Sequence, residues 1–305
     1  MNQEIRVQNE HIDIGTYGIW TGTLDAVPSA LAGEHAAEVE SLGFGALWIP
    51  ETVARELFVS SALLLGATST LKVATGIANR YGRDPMTCAA AQQTLAEAFP
   101  GRFLLGLGVS HEHLVSKIRR HDYSKPYSGM VSYLDDMEKA LFFSPKSDVP
   151  AQTVLAALGP KMLELSATRT AGAHPYFVPP EHTAYARGIM GDGPLLAVEQ
   201  MVVLETDPTT AREVARSNMA IYMGLPNYLN ALRRLGWAED DLANGGSDKL
   251  VDAIVAWGSA DDVLTRVQAH IDAGADHVCI QTLRANQTEV PLEDWRELSS
   301  ALGLS

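Results

Sequence analysis

LKVATGIANRYGRDPMTCAAAQQTLAEAFPGRFLLGLGVS, residues 71–110, decides the architecture. The stretch divides into an apolar run (LKVATGI), a segment with the length and composition of a helix (MTCAAAQQTLAEAF) and a second apolar run (RFLLGLG). Strands covered on both faces lose the in–out alternation of half-exposed ones, and strands of a parallel sheet read this way. The connection is long enough for a helical crossover and far too long for a hairpin. Each run breaks into small or polar residues: Thr75, Gly76 and Asn79 after the first, Gly108 and Ser110 after the second. Parallel sheets put their chemistry where strands end. These residues are therefore expected to floor a binding site.

The same alternation extends in both directions. Apolar strands are expected at residues 14–20, 44–49, 153–157, 173–178, 196–204 and 277–282. Helices are expected at 27–42, 59–70, 130–143, 161–171, 180–189, 259–273 and 292–302. Eight strand–helix units in 305 residues predict an α/β fold, a (β/α)8 TIM barrel, built as a single domain over residues 1–305. Residues 209–237 read as one helix longer than a crossover needs. With the residues up to Trp257 they are expected to form a helical insertion after the seventh strand. Residues 1–12 are polar and expected to be loose, and residues 110–128 show no steady period and read as a long loop.

Composition removes several classes of function. A net charge of -14 argues against a nucleic-acid partner. Apolar runs fall short of a membrane span and no charged-then-apolar leader is present, so a cytoplasmic protein acting on a small-molecule substrate is expected. Cys88 lies in a helical pattern and Cys279 in a strand pattern, which makes both buried core thiols, and no spacing points to a disulfide framework or a metal site.

Gly106 and Gly108 open a GxG motif, but the third glycine of a dinucleotide fingerprint is replaced by His111, and the motif sits on the fourth strand rather than the first. Leu158-Gly159-Pro160-Lys161 can cradle a phosphate. Glycine admits close approach, proline at the first helical position leaves later amides outward, and Lys161 adds charge. An ordinary strand-to-helix turn explains the same residues. His111-Glu112-His113 lacks the spacing of a helical zinc motif, but His111 directly follows a buried strand, where an imidazole can pass protons near neutral pH. Glu51 ends the second strand and either reaches a cofactor or sits in the first turn of the next helix. Trp48 is expected to pack the barrel. His174 and His182 flank the sixth strand, and Arg80 and Arg83 either meet an anionic cofactor tail or face solvent.

Taken in order, GFGALWIPE, LKVATGIANRYGRDP, GRFLLGLGVSHEHL, VLAALGPKMLEL, GAHPYFV and GADHVCIQTL resemble the luciferase-like flavin and deazaflavin oxidoreductases over nearly the whole chain. The nearest likeness is to the branch that uses coenzyme F420, a deazaflavin; FMN is the alternative cofactor. The resemblance implies a homodimer of barrels with a deazaflavin across the strand ends. It implies a non-prolyl cis peptide at Gly76-Ile77, a ring and ribityl lining from Val109 and Ser110, and a phosphate turn at Leu158, Gly159 and Pro160. The sugar-phosphate dehydrogenase of this family carries Asp-His after the second strand and Glu after the fourth; here stand Glu51-Thr52 and His111. Sugar-phosphate oxidation is therefore not expected. Glu51 retains a carboxylate for the ring, and His111 is expected as proton donor. A monooxygenase using FMN and a non-catalytic flavin or deazaflavin carrier remain the competing readings.

Overall fold

A computed structural model describes residues 12–304. The loose segment expected over residues 1–12 lies, except for Ile12, outside them. Eight parallel strands close on themselves in the order β1 (Tyr17–Trp20), β2 (Ala46–Ile49), β3 (Lys72–Thr75), β5 (Phe103–Gly108), β6 (Gln152–Leu155), β7 (Gly172–Ala173), β8 (Leu195–Val203) and β10 (His277–Thr282), with β10 returning to β1. This is the expected (β/α)8 barrel. A two-residue strand, β4 (Ala78–Asn79), continues beside β5 once the cis Gly76-Ile77 peptide has turned the chain.

The helices that cover the barrel are α1 (Ser29–Ser41), α2 (Leu57–Gly66), α3 (Pro85–Ala98), α4 (Pro126–Glu138), α5 (Pro160–Arg169), α6 (Pro180–Met190), α11 (Ala260–Asp272) and α12 (Leu292–Leu302). Local chemistry sets many of their starts. Asp84 accepts the Thr87 amide ahead of Pro85, and Ser259 and Asp262 form a reciprocal capping box. The insertion after β8 contains α7 (Pro208–Met219), α8 (Pro226–Arg234), α9 (Glu239–Leu242) and α10 (Asp248–Ile254). It is stitched to the rim by β9 (Val255–Trp257), which pairs Val255 with Met201 and Trp257 with Val203.

Three expectations need correction. The helix expected at 209–237 is broken by a 3-10 turn (Tyr222–Gly224), because Pro226 has no amide for a continuing helix and instead opens α8. The strand expected at 173–178 stops at Ala173, since Pro175 offers no amide to a ladder and Phe177 turns at φ +60°. The loop expected at 110–128 contains a π-helix (His113–Ile118), closed by the Arg119 amide on the Leu114 carbonyl. Its wider turn carries no 3.6-residue period to read.

The barrel interior is filled low down and open higher up. Trp48 is fully buried, stacks on His174 at 4.2 Å between centroids and donates its Nε1–H to His277 Nε2 at 3.0 Å. His277 Nδ1–H donates to the Gly15 carbonyl, and His174 Nδ1–H to that of Ala197. Outside the sheet, His270 accepts from Thr183 and donates to Gln200, and His182 Nε2–H donates to the Leu158 carbonyl. Both cysteines are free and buried.

Burial holds these four histidines neutral. His174, His182 and His277 are pushed down to about 4 and His270 to about 3. Below the usual value of 6.5 the unfolded chain takes up protons that the fold refuses. Their contribution to stability is then complete above pH 6.5 and falls toward pH 4, by roughly 1.4 kcal/mol per pH unit for each histidine. Glu199, fully buried and raised from 4.5 to about 8, acts in the opposite sense between those two values and offsets one histidine where the windows overlap, from pH 6.5 to 4.5. Urea unfolding at pH 7 and pH 5 is expected to give a stability several kcal/mol lower at the acid value; equal stabilities would refute the neutral assignment.

Candidate active site

Side chains alternate along a strand, so the interior positions follow from the buried ones below. Ala74, Leu104 and Val154 share the interior with Leu195, Ala197 and Cys279. Two residues further up each strand come Gly76, Gly106, Ala156, Glu199 and Gln281, with Gly108 above Gly106. The mouth therefore has two halves. Its β3–β5–β6 side has glycine or alanine where side chains would stand. Its β1–β7–β8–β10 side carries Trp20, Tyr176, Glu199 and Gln281.

Close neighbours leave these glycines no room for a side chain as they stand. A Cβ on Gly106 would lie 1.9 Å from the Thr75 carbonyl oxygen, and one on Gly108 would lie 2.4 Å from Ile77 Cδ1 and 3.1 Å from Ala156 Cβ. A Cβ on Gly76 would lie 2.4 Å from Trp20 Nε1 and 3.2 Å from His174 Nε2. Ile77 thus sits over Gly108, and the platform around it is backbone.

The residues named from sequence fall into three groups. Asn79 is 1% exposed; its side-chain oxygen accepts the Tyr81 amide, and its Nδ2 has no protein partner. Thr75 is internal to the sheet, its hydroxyl donating to the Gly106 carbonyl and accepting the Gly106 amide. Val109 is half-buried beside it, and Ser110 turns at φ +56° with its carbonyl accepting from Tyr123 Oη at 3.0 Å.

The second group is the turn before α5. Gly159 precedes the helix, whose N-terminus has no side-chain cap. Pro160 and Lys161 are exposed, and the Leu158 carbonyl accepts from His182. Arg234, from α8 in the insertion, points a guanidinium at this turn, with Nη2 3.6 Å from where a Gly159 Cβ would stand.

Glu51 and His111 behave differently. Glu51 is a hub: it accepts two bonds from Arg83 at 3.0 and 2.9 Å, one from Arg119 at 3.1 Å and the Asn79 amide at 2.6 Å. Gly82 leaves room for it, since a Cβ there would lie 2.9 Å from Glu51 Oε1. Its lone pairs are directed at the wall of the mouth, joining β2 to the π-helix. His111 is half-buried, with Asn227 close enough to favour its charged form, and leaves Nδ1 without a protein partner. Tyr228 lies 5.6 Å from its ring. Burial pushes His111 below the usual imidazole range, and Asn227 offsets part of that shift.

Sequence reading missed the opposite wall. Tyr222 donates to Tyr176 at 2.8 Å, and Tyr176 donates to Gln281 at 2.8 Å. Glu199 accepts the Phe177 amide at 3.1 Å, gives its own amide to the Pro175 carbonyl at 3.1 Å and has an unpartnered Oε1. Its signal was present: the one acid in the strand LLAVEQMVV, apolar apart from it and Gln200. Arg234, Asn227 and Tyr228 had no signal, because nothing local says which way the insertion folds. Among the described residues no group of three or more His, Cys, Asp or Glu can hold a metal ion, and no helix is long and apolar enough to cross a membrane.

Fold and site together define a parallel-barrel protein with a backbone platform at its strand ends. The chain belongs to the luciferase-like monooxygenase family, whose sequence model matches residues 16–277. A Mycobacterium tuberculosis relative named among the coenzyme F420-dependent oxidoreductases is 23% identical over 88% of this chain and 96% of its own length. An F420-dependent secondary alcohol dehydrogenase, solved in complex with an F420-acetone adduct, superposes with a TM-score of 0.75 at 14% identity, over 95% of this chain and 98% of that one. The oxygenating constituent of 3,6-diketocamphane monooxygenase of Pseudomonas putida, solved with FMN, gives a TM-score of 0.66 at 15% identity over 93% and 95% of the two chains. The two solved structures share the barrel.

Removing one partner of a buried charge cluster leaves the others uncompensated. Glu51→Gln is expected to cost about 3 kcal/mol in denaturant unfolding, because Arg83 and Arg119 lose their common carboxylate. A loss within experimental error would show that the cluster does not bind the wall together.

Proposed function

We propose that this chain is an oxidoreductase that uses coenzyme F420 to move a hydride to or from a small organic substrate. The observation that carries the reading is the orphan donor Asn79 Nδ2 beside a floor of glycine backbone. A buried amide donor without a protein partner costs about 1–3 kcal/mol, and a flat ring with acceptors along its edge repays that cost. Names of relatives support F420; the FMN-bound neighbour supports a flavin-type ring in general.

The residues fit such a group. When bound, a deazaflavin supplies hydride chemistry at C5 of its ring. Ile77 and Gly76 would support the ring, Gly108, Val109 and Ser110 would line it, and Asn79 would donate to its edge. Leu158, Gly159, Pro160 and Lys161 would hold its phosphate, with Arg234 as the added cation. Thr75 and Glu51 act one step back: Thr75 ties the bulge to β5, and Glu51 fixes the Asn79 backbone and holds Arg83 and Arg119 in place.

His111 is the proton-handling group in this reading. Its free Nδ1 and its depressed basicity leave a neutral imidazole at neutral pH, able to take a proton as the substrate is oxidised. In the reducing direction the protonated ring returns that proton. Substrate reduction is accordingly expected to quicken as pH falls below 6.5, where more of the imidazole is charged. The homodimer rests on the resemblance; Val59 and Leu63, one turn apart on α2 and 60% and 49% exposed, offer a face for it.

Fluorescence titration of the purified protein with F420 and with FMN tests the cofactor. Tighter FMN binding with oxygen uptake would replace this reading with a monooxygenase, and binding without turnover over a substrate panel would leave a carrier. His111→Ala is expected to lower kcat by about 10²-fold, within the usual range for a lost general acid or base, while F420 affinity changes less than twofold. Unchanged kcat would remove His111 from the chemistry.

A further inference from the structure

Three arginines stand on the Glu51 side of the mouth. Arg83 and Arg119 are neutralised by Glu51, and Arg83 also by Glu56. Arg80 forms no ion pair with any described residue. Its guanidinium carbon lies 3.9 Å from the centroid of the Tyr81 ring, and Nη2 donates to Tyr81 Oη at 2.5 Å. Its Nε is buried without a protein partner. The side chain is held against α4 at Gly129, where a Cβ would fall 2.4 Å from Nη2.

Tyr81 holds the guanidinium in place, but no carboxylate neutralises it. Gly129 lies in the first turn of α4, whose N-terminus has no side-chain cap and follows Lys125. A helix N-terminus carries partial positive charge, so a fixed cation beside it is repelled. The acids on the facing loop do not compensate it: Asp122 is engaged with Ser124, and Glu112 is exposed and unpaired with it. The fold therefore holds a rigid cation, a residue away from Asn79, in a chain whose net charge is -14.

We propose that Arg80 is a docking point for an anionic oxygen group, a carboxylate or a phosphate, on the small molecule that occupies the mouth. Tyr81 stacking and the space left by Gly129 pre-orient the guanidinium, which lowers the entropy cost of seizing the anion. Asn79 pairs with Gly108 in the sheet, so an anion held by the next residue anchors the body of the molecule beside the platform. This rests on the reading of the mouth as the reactive site, and it leaves two sources for the anion: the substrate, or the cofactor's own tail.

The test separates these and needs no deazaflavin at its first step. Benzoate, inorganic phosphate and the uncharged control benzamide are titrated calorimetrically into the full chain. Benzoate is expected to bind at least fivefold more tightly than benzamide. Arg80→Gln should abolish the difference, and Arg80→Lys should keep part of it. Gly129→Ala keeps the charge but displaces the guanidinium; it should weaken benzoate binding while the unfolding midpoint does not drop, since alanine favours a helix. Titration of the same variants with F420 and with its tail-free deazariboflavin core assigns the source. A loss confined to the tailed cofactor puts the cofactor's anion on Arg80, and a loss confined to benzoate puts the substrate's there. Failure of F420 to bind at all would end the cofactor reading while leaving the anion arm standing. Wild-type affinity for benzoate, phosphate and F420 alike in both Arg80→Gln and Gly129→Ala, or equal affinity for benzoate and benzamide together with unchanged F420 affinity in those variants, would overturn the proposal.

Discussion

A closed barrel sends every second side chain of each strand into an interior of small, fixed volume. Everything at the mouth of this protein depends on how that volume is shared. Below, Trp48 and His174 stack and close the interior, with His277 holding the indole N–H. Above them, Gly76, Gly106 and Gly108 leave their positions empty on one side, while Trp20, Tyr176 and Glu199 fill the other. A flat ligand can meet backbone only on the first side. The bulky half then becomes the wall that it faces.

Two carboxylates show how strongly surroundings decide chemistry. Glu51 accepts from two arginines and an amide, and its role is to organise β2, Asn79 and the π-helix into one wall. Glu199 has one amide donor and no cation, and desolvation alone raises it to about 8. At neutral pH it is largely a neutral acid. Its backbone amide and carboxylate side chain hold the Pro175–Phe177 turn from both ends, which fixes where Tyr176 enters the mouth.

The insertion completes the site from a distance. Chain that leaves the barrel after β8 returns through β9 and is pinned to the rim by three paired residues. This docking brings Asn227 and Tyr228 to His111 and Arg234 to the turn at Gly159. The same strand end that would hold a phosphate is thus covered by a helix from some 70 residues later in the chain. Pocket walls made this way can change with the insertion while the platform stays constant.

Local pattern was enough for the barrel and for its strand ends. Apolar runs such as FLLGLG and ALWI must be covered on both faces wherever they fold, and the turn residues that follow them mark the ends without reference to any partner. That is why Asn79, Gly108 and Gly159 were legible. The breaks at Pro175 and Pro226 were written in the sequence too, as missing amides, but they lie inside segments whose apolar pattern runs on past them. What the linear chain did not contain was the partner of each charge. Glu51 and Arg119 are 68 residues apart, Leu158 and Arg234 are 76 apart, and Arg80's lack of a carboxylate is a fact about empty space around it. Burial and pairing are properties of the closed structure, because desolvation and Coulomb energies depend on distances that exist only once the barrel has formed.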